Sequence, residues 1–418
     1  MTPPVLRLGI RQNLKQFSLL VLINAFVGAM VGLERTVLPL IAQEDFGIAS
    51  KTLILSFLVS FGIVKAVSNL LAGTFSEKFG RKRVLIVGWL FGLPVPILLI
   101  YAHSWDWIIL ANVFLGLNQG LCWSATVIMK IDLAGPKQRG LAMGLNEFGG
   151  YLAVAIAAYL SALIATRYGL RPFPFFLGVA FSTGGLLLSL FLAKDTSAHA
   201  RLEVEEAGIR RGLLPFKEVF IQASWKNKNL FSCSQAGLTN NFNDGVSWGL
   251  FPLFFAAQGL DMEQIGFLVA VYPATWGVAQ PLTGILSDRF GRKWMIVLGM
   301  WLQGTAIILI PVLFGWESLV AAMFILGTGT AMVYPTLLAG VGDATQPSWR
   351  ATAVGVYRLW RDLGYAFGAV ISGLIADRLG ASSAITVTGA LTLLSGAVVA
   401  LNMKKTTKSS GPPVAELQ

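Results

Sequence analysis

Apolar residues run along this chain in blocks of about 20, the length that crosses a bilayer. Short segments rich in charge and glycine separate each block from the next. The pattern predicts twelve helices, at 17–41, 53–75, 83–102, 106–131, 140–166, 172–194, 229–257, 264–285, 294–314, 317–342, 351–376 and 382–402. One longer polar gap, 195–228, separates the sixth from the seventh. Within it, Leu213-Leu-Pro-Phe-Lys-Glu-Val-Phe-Ile221 sets apolar residues at helical spacing, as a helix lying on a membrane interface does.

The blocks fall into two related sets. Gly73-Thr-Phe-Ser-Glu-Lys-Phe-Gly-Arg-Lys82 returns as Gly284-Ile-Leu-Ser-Asp-Arg-Phe-Gly-Arg-Lys293, 211 positions later. At the same offset Gly116 meets Gly327, Asp132 meets Asp343, Arg139 meets Arg350, Gly144 meets Gly355, and Arg167-Tyr-Gly169 meets Arg378-Leu-Gly380. A duplicated membrane-embedded half marks a two-lobed transporter. The expected fold is all-α and integral to the membrane, with twelve transmembrane helices in two six-helix pseudo-repeat lobes. The expected divisions are an N-terminal lobe at 1–194, a cytoplasmic linker with an interfacial helix at 195–228, a C-terminal lobe at 229–402 and a disordered tail at 403–418.

Composition agrees, at 55% apolar against 13% charged residues. Of 32 Lys and Arg, 24 fall in the termini and even-numbered loops, 4 in the odd-numbered loops, and 4 inside helices. That imbalance places both termini and the central loop in the cytoplasm. It also accounts for the net charge of +11 without a nucleic-acid partner. The basic start followed by an apolar run lacks a small-residue cleavage site and continues into Glu34-Arg35, so it reads as the first helix rather than a removed signal peptide. Cys122 and Cys233 fall in separate helices without a second ligand nearby, and indicate neither a disulfide nor a metal site. His103 and His199 lie outside the spans. No nucleophile and base group together, no cofactor motif appears, and no phosphate-binding G-x-x-x-x-G-K-[ST] occurs, so neither an enzyme nor an internal ATP motor is expected.

Helix number, duplication and hinge text together resemble the major facilitator superfamily, whose loop between the second and third helices reads roughly G-x-L-[SA]-D-[RK]-x-G-R-[RK]. The first copy departs from it at Phe75 and Glu77, and the second fits throughout. The resemblance makes Gly73, Glu77, Gly80 and Arg81, with Gly284, Asp288, Gly291 and Arg292, a breakable hinge. It implies that the carboxylate of Glu77 latches the cytoplasmic side against the start of the eleventh helix, near Ala351, at the positive end of the helix dipole. It also implies rocking of two lobes around a cavity lined by helices 1, 4, 7 and 10. Two marks of the drug/proton antiporter branch are missing: Gly116 stands at the helix-4 Arg position, and Ala157-Ala158 and Ser161-Ala162 stand where the helix-5 Gly-Pro and Gly pair belong.

Eight ionisable residues fall inside the expected spans: Glu34, Arg35, Lys65, Glu147, Asp244, Arg358, Arg361 and Asp362. Each costs about 2.5–3.5 kcal/mol at the bilayer centre, so each must pair or face water. Depth along the helices matches Lys65 with Asp362 as an inter-lobe pair. Glu147 and Arg358 occupy the same position in the two repeats with opposite sign. Asn240, Asn241, Asn243 and Asp244 form a polar run that either meets a ligand, through Asn241 and Asp244, or hydrogen-bonds neighbouring helices. Asp244 and Glu34, then Glu147, are the candidate proton carriers. Tyr272, Trp276 and Gln280 share a helix face and Tyr334 precedes Pro335, either as cavity wall or as packing. The leading reading is a proton-coupled transporter of a small organic solute, leaning to efflux, working as a monomer in a bacterial inner membrane. One alternative is an organic-anion or metabolite symporter using Arg358 and Arg361, with Arg35 counted only among the substrate or proton pathway residues. Another, of a different class, is a non-transporting sensor or assembly protein.

Overall fold

The computed structural model describes residues 7–135, 138–207, 214–346 and 349–404. The expected tail at 403–418 lies outside the described residues beyond Lys404, as does 208–213 of the linker. In chain order the helices are α1 (Leu14–Arg35), α2 (Leu38–Glu44), α3 (Lys51–Ile54), α4 (Ser56–Phe79), α5 (Arg81–Gly92), α6 (Pro94–Ile100), α7 (Trp105–Ala134), α8 (Arg139–Tyr168), α9 (Phe173–Phe191), α10 (Ser197–Ala207), α11 (Phe216–Ile221), α12 (Lys228–Gly249), α13 (Phe251–Ala257), α14 (Met262–Phe290), α15 (Arg292–Leu309), α16 (Trp316–Asp343), α17 (Arg350–Leu379) and α18 (Ala381–Asn402). Among the described residues, ten helical stretches are long and apolar enough to cross a membrane. The chain is an integral membrane protein. The two other long stretches, Lys228–Ala257 and Arg350–Leu379, carry the asparagine run and the Arg358, Arg361 and Asp362 charges that lower their hydropathy.

The repeat is visible in the element ends. Phe79 and Phe290 each close a helix, Arg81 and Arg292 each open one, Trp105 answers Trp316, and Arg139 answers Arg350. Gly80 and Gly291 stand at φ 90° and 86°, where a side chain is strained, so the glycine of each hinge sets the turn. The halves meet through α4 on α17 and α8 on α14, and the offset carries each of these pairs onto the other.

Small residues decide where the halves touch. A Cβ on Gly266 of α14 would lie 2.1 Å from Ala162 of α8, and one on Gly62 of α4 would lie 2.8 Å from Tyr365 of α17. The helix-5 stretch that lacks the antiporter glycines thus serves close packing between the halves. Gly116 likewise leaves no room for an arginine, because a Cβ there would sit 2.9 Å from the Phe61 carbonyl oxygen.

Two details correct the sequence reading. Lys130, grouped with the loop cations, is fully buried inside α7 and donates to the Leu20 carbonyl at 3.1 Å. The linker helix α11 and the wider turn at Gln222–Lys226 pack on α17, where Trp360 donates to Ser224 Oγ at 2.8 Å, rather than only facing an interface. Phe216 and Trp225 of that segment stay exposed.

Candidate functional site

A cavity of about 540 Å³ lies between the halves. It extends from Trp123, Tyr151 and Tyr334 to Ser287, Asp288 and Arg292 at the hinge end of the bundle. At the opposite end the halves are joined: Asp377 of α17 accepts from Ser50 Oγ at 2.8 Å and from the Thr52 backbone at 3.0 Å. At the hinge end Glu77 is exposed, and a Cβ on Gly73 or Gly284 would meet nothing within 4 Å. Asp288 of the second hinge pairs with Arg292 at 2.6 Å.

Much of the cavity wall is written twice. The offset carries Asn69 onto Gln280, Trp123 onto Tyr334, and Glu147 onto Arg358, and all six line the cavity. Trp123, Tyr151 and Asn69 were not singled out from sequence. The signal was there, because applying the offset to Tyr334, Asp362 and Gln280 returns these three positions.

A hydrogen-bonded chain crosses the cavity. Arg358 Nη1 donates to Ser124 Oγ at 3.2 Å, Ser124 donates to Asn69 Oδ1 at 2.6 Å, and Asn69 donates to Asp362. Asp362 Oδ1 also accepts from Arg361 Nε and Nη2 at 2.8 and 2.7 Å and from Asn241 at 3.3 Å. Arg361 Nη1 reaches Tyr334 at 2.7 Å, and Tyr151 donates to Tyr334 at 3.3 Å. The inter-half partner of Asp362 is thus Asn69, one turn beyond the expected Lys65. Lys65 instead places its ammonium 5.2 and 5.0 Å from the ring centres of Phe61 and Tyr365, a cation–π arrangement. With both forks of Arg361 engaged, the expected pair of arginines on one carboxylate reduces to Arg358.

Glu147 and Arg358 do not meet. Glu147 Oε1 accepts from Trp123 Nε1 at 3.0 Å and Asn146 at 2.8 Å, while its Oε2 and Arg358 Nε have no hydrogen-bond partner among the described residues. Both amide atoms of Gln280 are also unpartnered there, although the residue is only 1% exposed.

The remaining charges lie away from the cavity lining. Asp244 is fully buried, accepting from Tyr272 and from Tyr365 at 3.4 Å. Tyr272 is therefore tied to Asp244 rather than to the cavity. Trp276 is buried behind Tyr151, their ring centres 3.5 Å apart. Asn240 and Asn243 bond Gln303 and Thr392 on neighbouring helices, which leaves Asn241 as the member of the run that faces the crossing chain. Glu34 and Arg35 are both fully buried. Neither carboxylate oxygen of Glu34 has a hydrogen-bond partner among the described residues, and the Arg35 guanidinium lies 4.7 Å from the ring centres of both Phe61 and Trp248.

The profile of the Major Facilitator Superfamily matches residues 20–234 and again 233–417. The chain belongs to that superfamily. It is 27% identical over 403 residues, 93% of its own length and 88% of the relative's, to the uncharacterised MFS-type transporter YddS of Bacillus subtilis. It is 25% identical over 384 residues to the multidrug resistance protein MdtG of Salmonella dublin, covering 88% of this chain and 90% of that one. A crystal structure of a POT family transporter with a thioalcohol-conjugated peptide superposes with a TM-score of 0.73 at 12% identity, over 92% of this chain and 95% of the other. That likeness establishes the fold. As a superfamily member, the chain is a membrane transporter of small solutes.

Proposed function

We propose that this superfamily member is a secondary transporter that passes a small organic solute through the cavity between its halves by alternating access. The observation that carries this reading is the asymmetry of closure. The cavity reaches the hinge end, and the far end is packed shut by glycine contacts and by Asp377. In this reading Lys228–Ala257 and Arg350–Leu379 also span, giving twelve helices in lobes at 1–194 and 229–402. The hinges and termini face the cytoplasm of a bacterial inner membrane, and the working unit is a monomer. Arg358, Glu147 and Tyr334 face the solute, and Arg361, Asn241 and Asp362 brace the contact across the halves.

Coupling to protons belongs to the proposal, with Asp244, Glu34 and Glu147 as carriers. Buried carboxylates without full hydrogen bonding are costly unless paired or neutralised, and Glu34 is of that kind. Likeness to MdtG supports export. The test is uptake by purified protein in liposomes under an imposed pH gradient, with Asp244→Asn and Glu34→Gln as variants. Gradient-driven flux that one variant uncouples supports the reading. Absence of flux for every solute class, despite a folded protein, favours a sensor or assembly role.

A further inference from the structure

The cavity holds two charges of opposite sign that its own residues leave incompletely satisfied. Glu147 stands on α8 of the first half and Arg358 on α17 of the second, at equivalent positions of the repeat. No ion pair within 4.0 Å joins either residue to an opposite charge among the described residues. Lys130, near Glu147, gives its ammonium to the Leu20 carbonyl, and Lys65 sits over rings. The pair formed by Arg361 and Asp362 at 2.7 Å is neutral in itself. What remains is a carboxylate on one wall, a guanidinium on the other, and an unpartnered Gln280 amide.

The surroundings of the two charges differ. Glu147 is held by the indole N–H of Trp123, whose ring lies 5.2 Å from that of Tyr151, and both rings line the cavity. A carboxylate beside aromatic faces is the chemistry that recognises an ammonium group. Arg358 keeps an unpartnered Nε–H beside the donor it gives to Ser124, and guanidinium N–H groups recognise carboxylates and sulfonates.

Resting on the transporter reading above, we propose that the cavity takes a small organic zwitterion, its ammonium end against Glu147 and Trp123 and its acidic end at Arg358. Such a ligand touches one half with each end. It satisfies the buried Glu147 and the half-buried Arg358 at once and draws the halves together around itself, whereas a simple anion or cation engages one half and leaves the other charge unpaired.

The test is binding to detergent-purified protein by calorimetry. The probes are glycine betaine and phenylalanine, compared with 3-phenylpropanoate, which lacks the ammonium, and phenethylamine, which lacks the carboxylate. At least one zwitterion is expected to bind, and phenylalanine about tenfold or more tighter than either truncated analogue, each of which forgoes a charge-assisted contact. Glu147→Gln should erase the preference over 3-phenylpropanoate, and Arg358→Gln the preference over phenethylamine. Equal or tighter binding of either analogue by the unaltered protein overturns the proposal, as does silence of both zwitterions. That comparison needs no variant to fold. Selective binding without flux in liposomes overturns the transporter reading and leaves the ligand class standing.

Discussion

Arg81 Nε lies 3.1 Å from Asp132 Oδ2, and the residues 211 positions on, Arg292 and Asp343, make the same contact at 3.0 Å. Each pair ties the start of the helix after the hinge to the end of the long helix that follows. The copies differ in burial: the Asp132 side chain is 10% exposed and that of Asp343 is 40% exposed. Asp132 also accepts from Thr196 at 2.6 Å. Losing hydrogen bonds to a buried charged group costs about 1.5–3 kcal/mol, whereas an exposed pair is worth about 1 kcal/mol or less. Asp132→Asn is therefore expected to lower the thermal midpoint in detergent clearly more than Asp343→Asn. Equal effects would mean that the two hinges are anchored alike.

The far end has an asymmetric latch. Asp377 caps the chain at Ser50 and Thr52 from the opposite half. At the position of the repeat equivalent to Ser50, Asp261 caps its own helix, with Gln264 N donating to it at 2.8 Å and Gln264 Oε1 accepting from Asp261 N at 3.1 Å. Asp377→Ala is expected to loosen the far end, and Asp261→Ala only to weaken a helix start. Maleimide labelling of a cysteine placed at Ser56 should rise roughly three- to tenfold for the former, as loss of one or two modest hydrogen bonds implies. No rise would show that glycine packing alone holds the end closed.

Gly266 is a steric test of that packing. A valine side chain there collides with Ala162, and overpacking of this kind costs about 1–3 kcal/mol. Because the cost falls on the conformation closed at the far end, Gly266→Val should reduce flux in liposomes by about tenfold. Helical content by circular dichroism should stay unchanged. Retained flux would mean that α8 and α14 separate little during transport.

One pH effect is expected outside the membrane. Burial raises the Asp195 carboxyl, but hydrogen bonds from Ser197 and from the Lys82 backbone, with the Arg81 charge, outweigh it and hold the group below the usual 3.8. A depressed value means that this group stabilises the fold above its unfolded value and loses that contribution as pH falls through the folded one. Asp195→Asn should flatten the thermal midpoint against pH below about 4, and leave it lower than that of the unaltered protein at neutral pH. Parallel curves would remove Asp195 from the acid response.

Sequence alone determined the two hinge turns, the duplicated halves and where the long helices lie, though many ends shift by several residues and Thr36-Val37, Leu55, Leu93 and Leu250 interrupt stretches expected to be single helices. Bilayer-length apolar blocks and glycines at positive φ are local constraints, and a gapless offset repeats them. It also matched Glu147 with Arg358 through their position in the repeat, and named Tyr334 beside Pro335 as either cavity wall or packing. Tertiary structure decided who meets whom. Depth arithmetic placed Lys65 near Asp362, but partner choice between positions one helical turn apart depends on side-chain direction and on the rings of Phe61 and Tyr365, which come from different halves. The same holds for Tyr272, drawn to Asp244 rather than to the cavity, and for the asparagine run, which splits between neighbours because a helix turns about 100° per residue. Which end stands open was likewise beyond the sequence, since both hinge copies fit either state and only packing between the halves selects one.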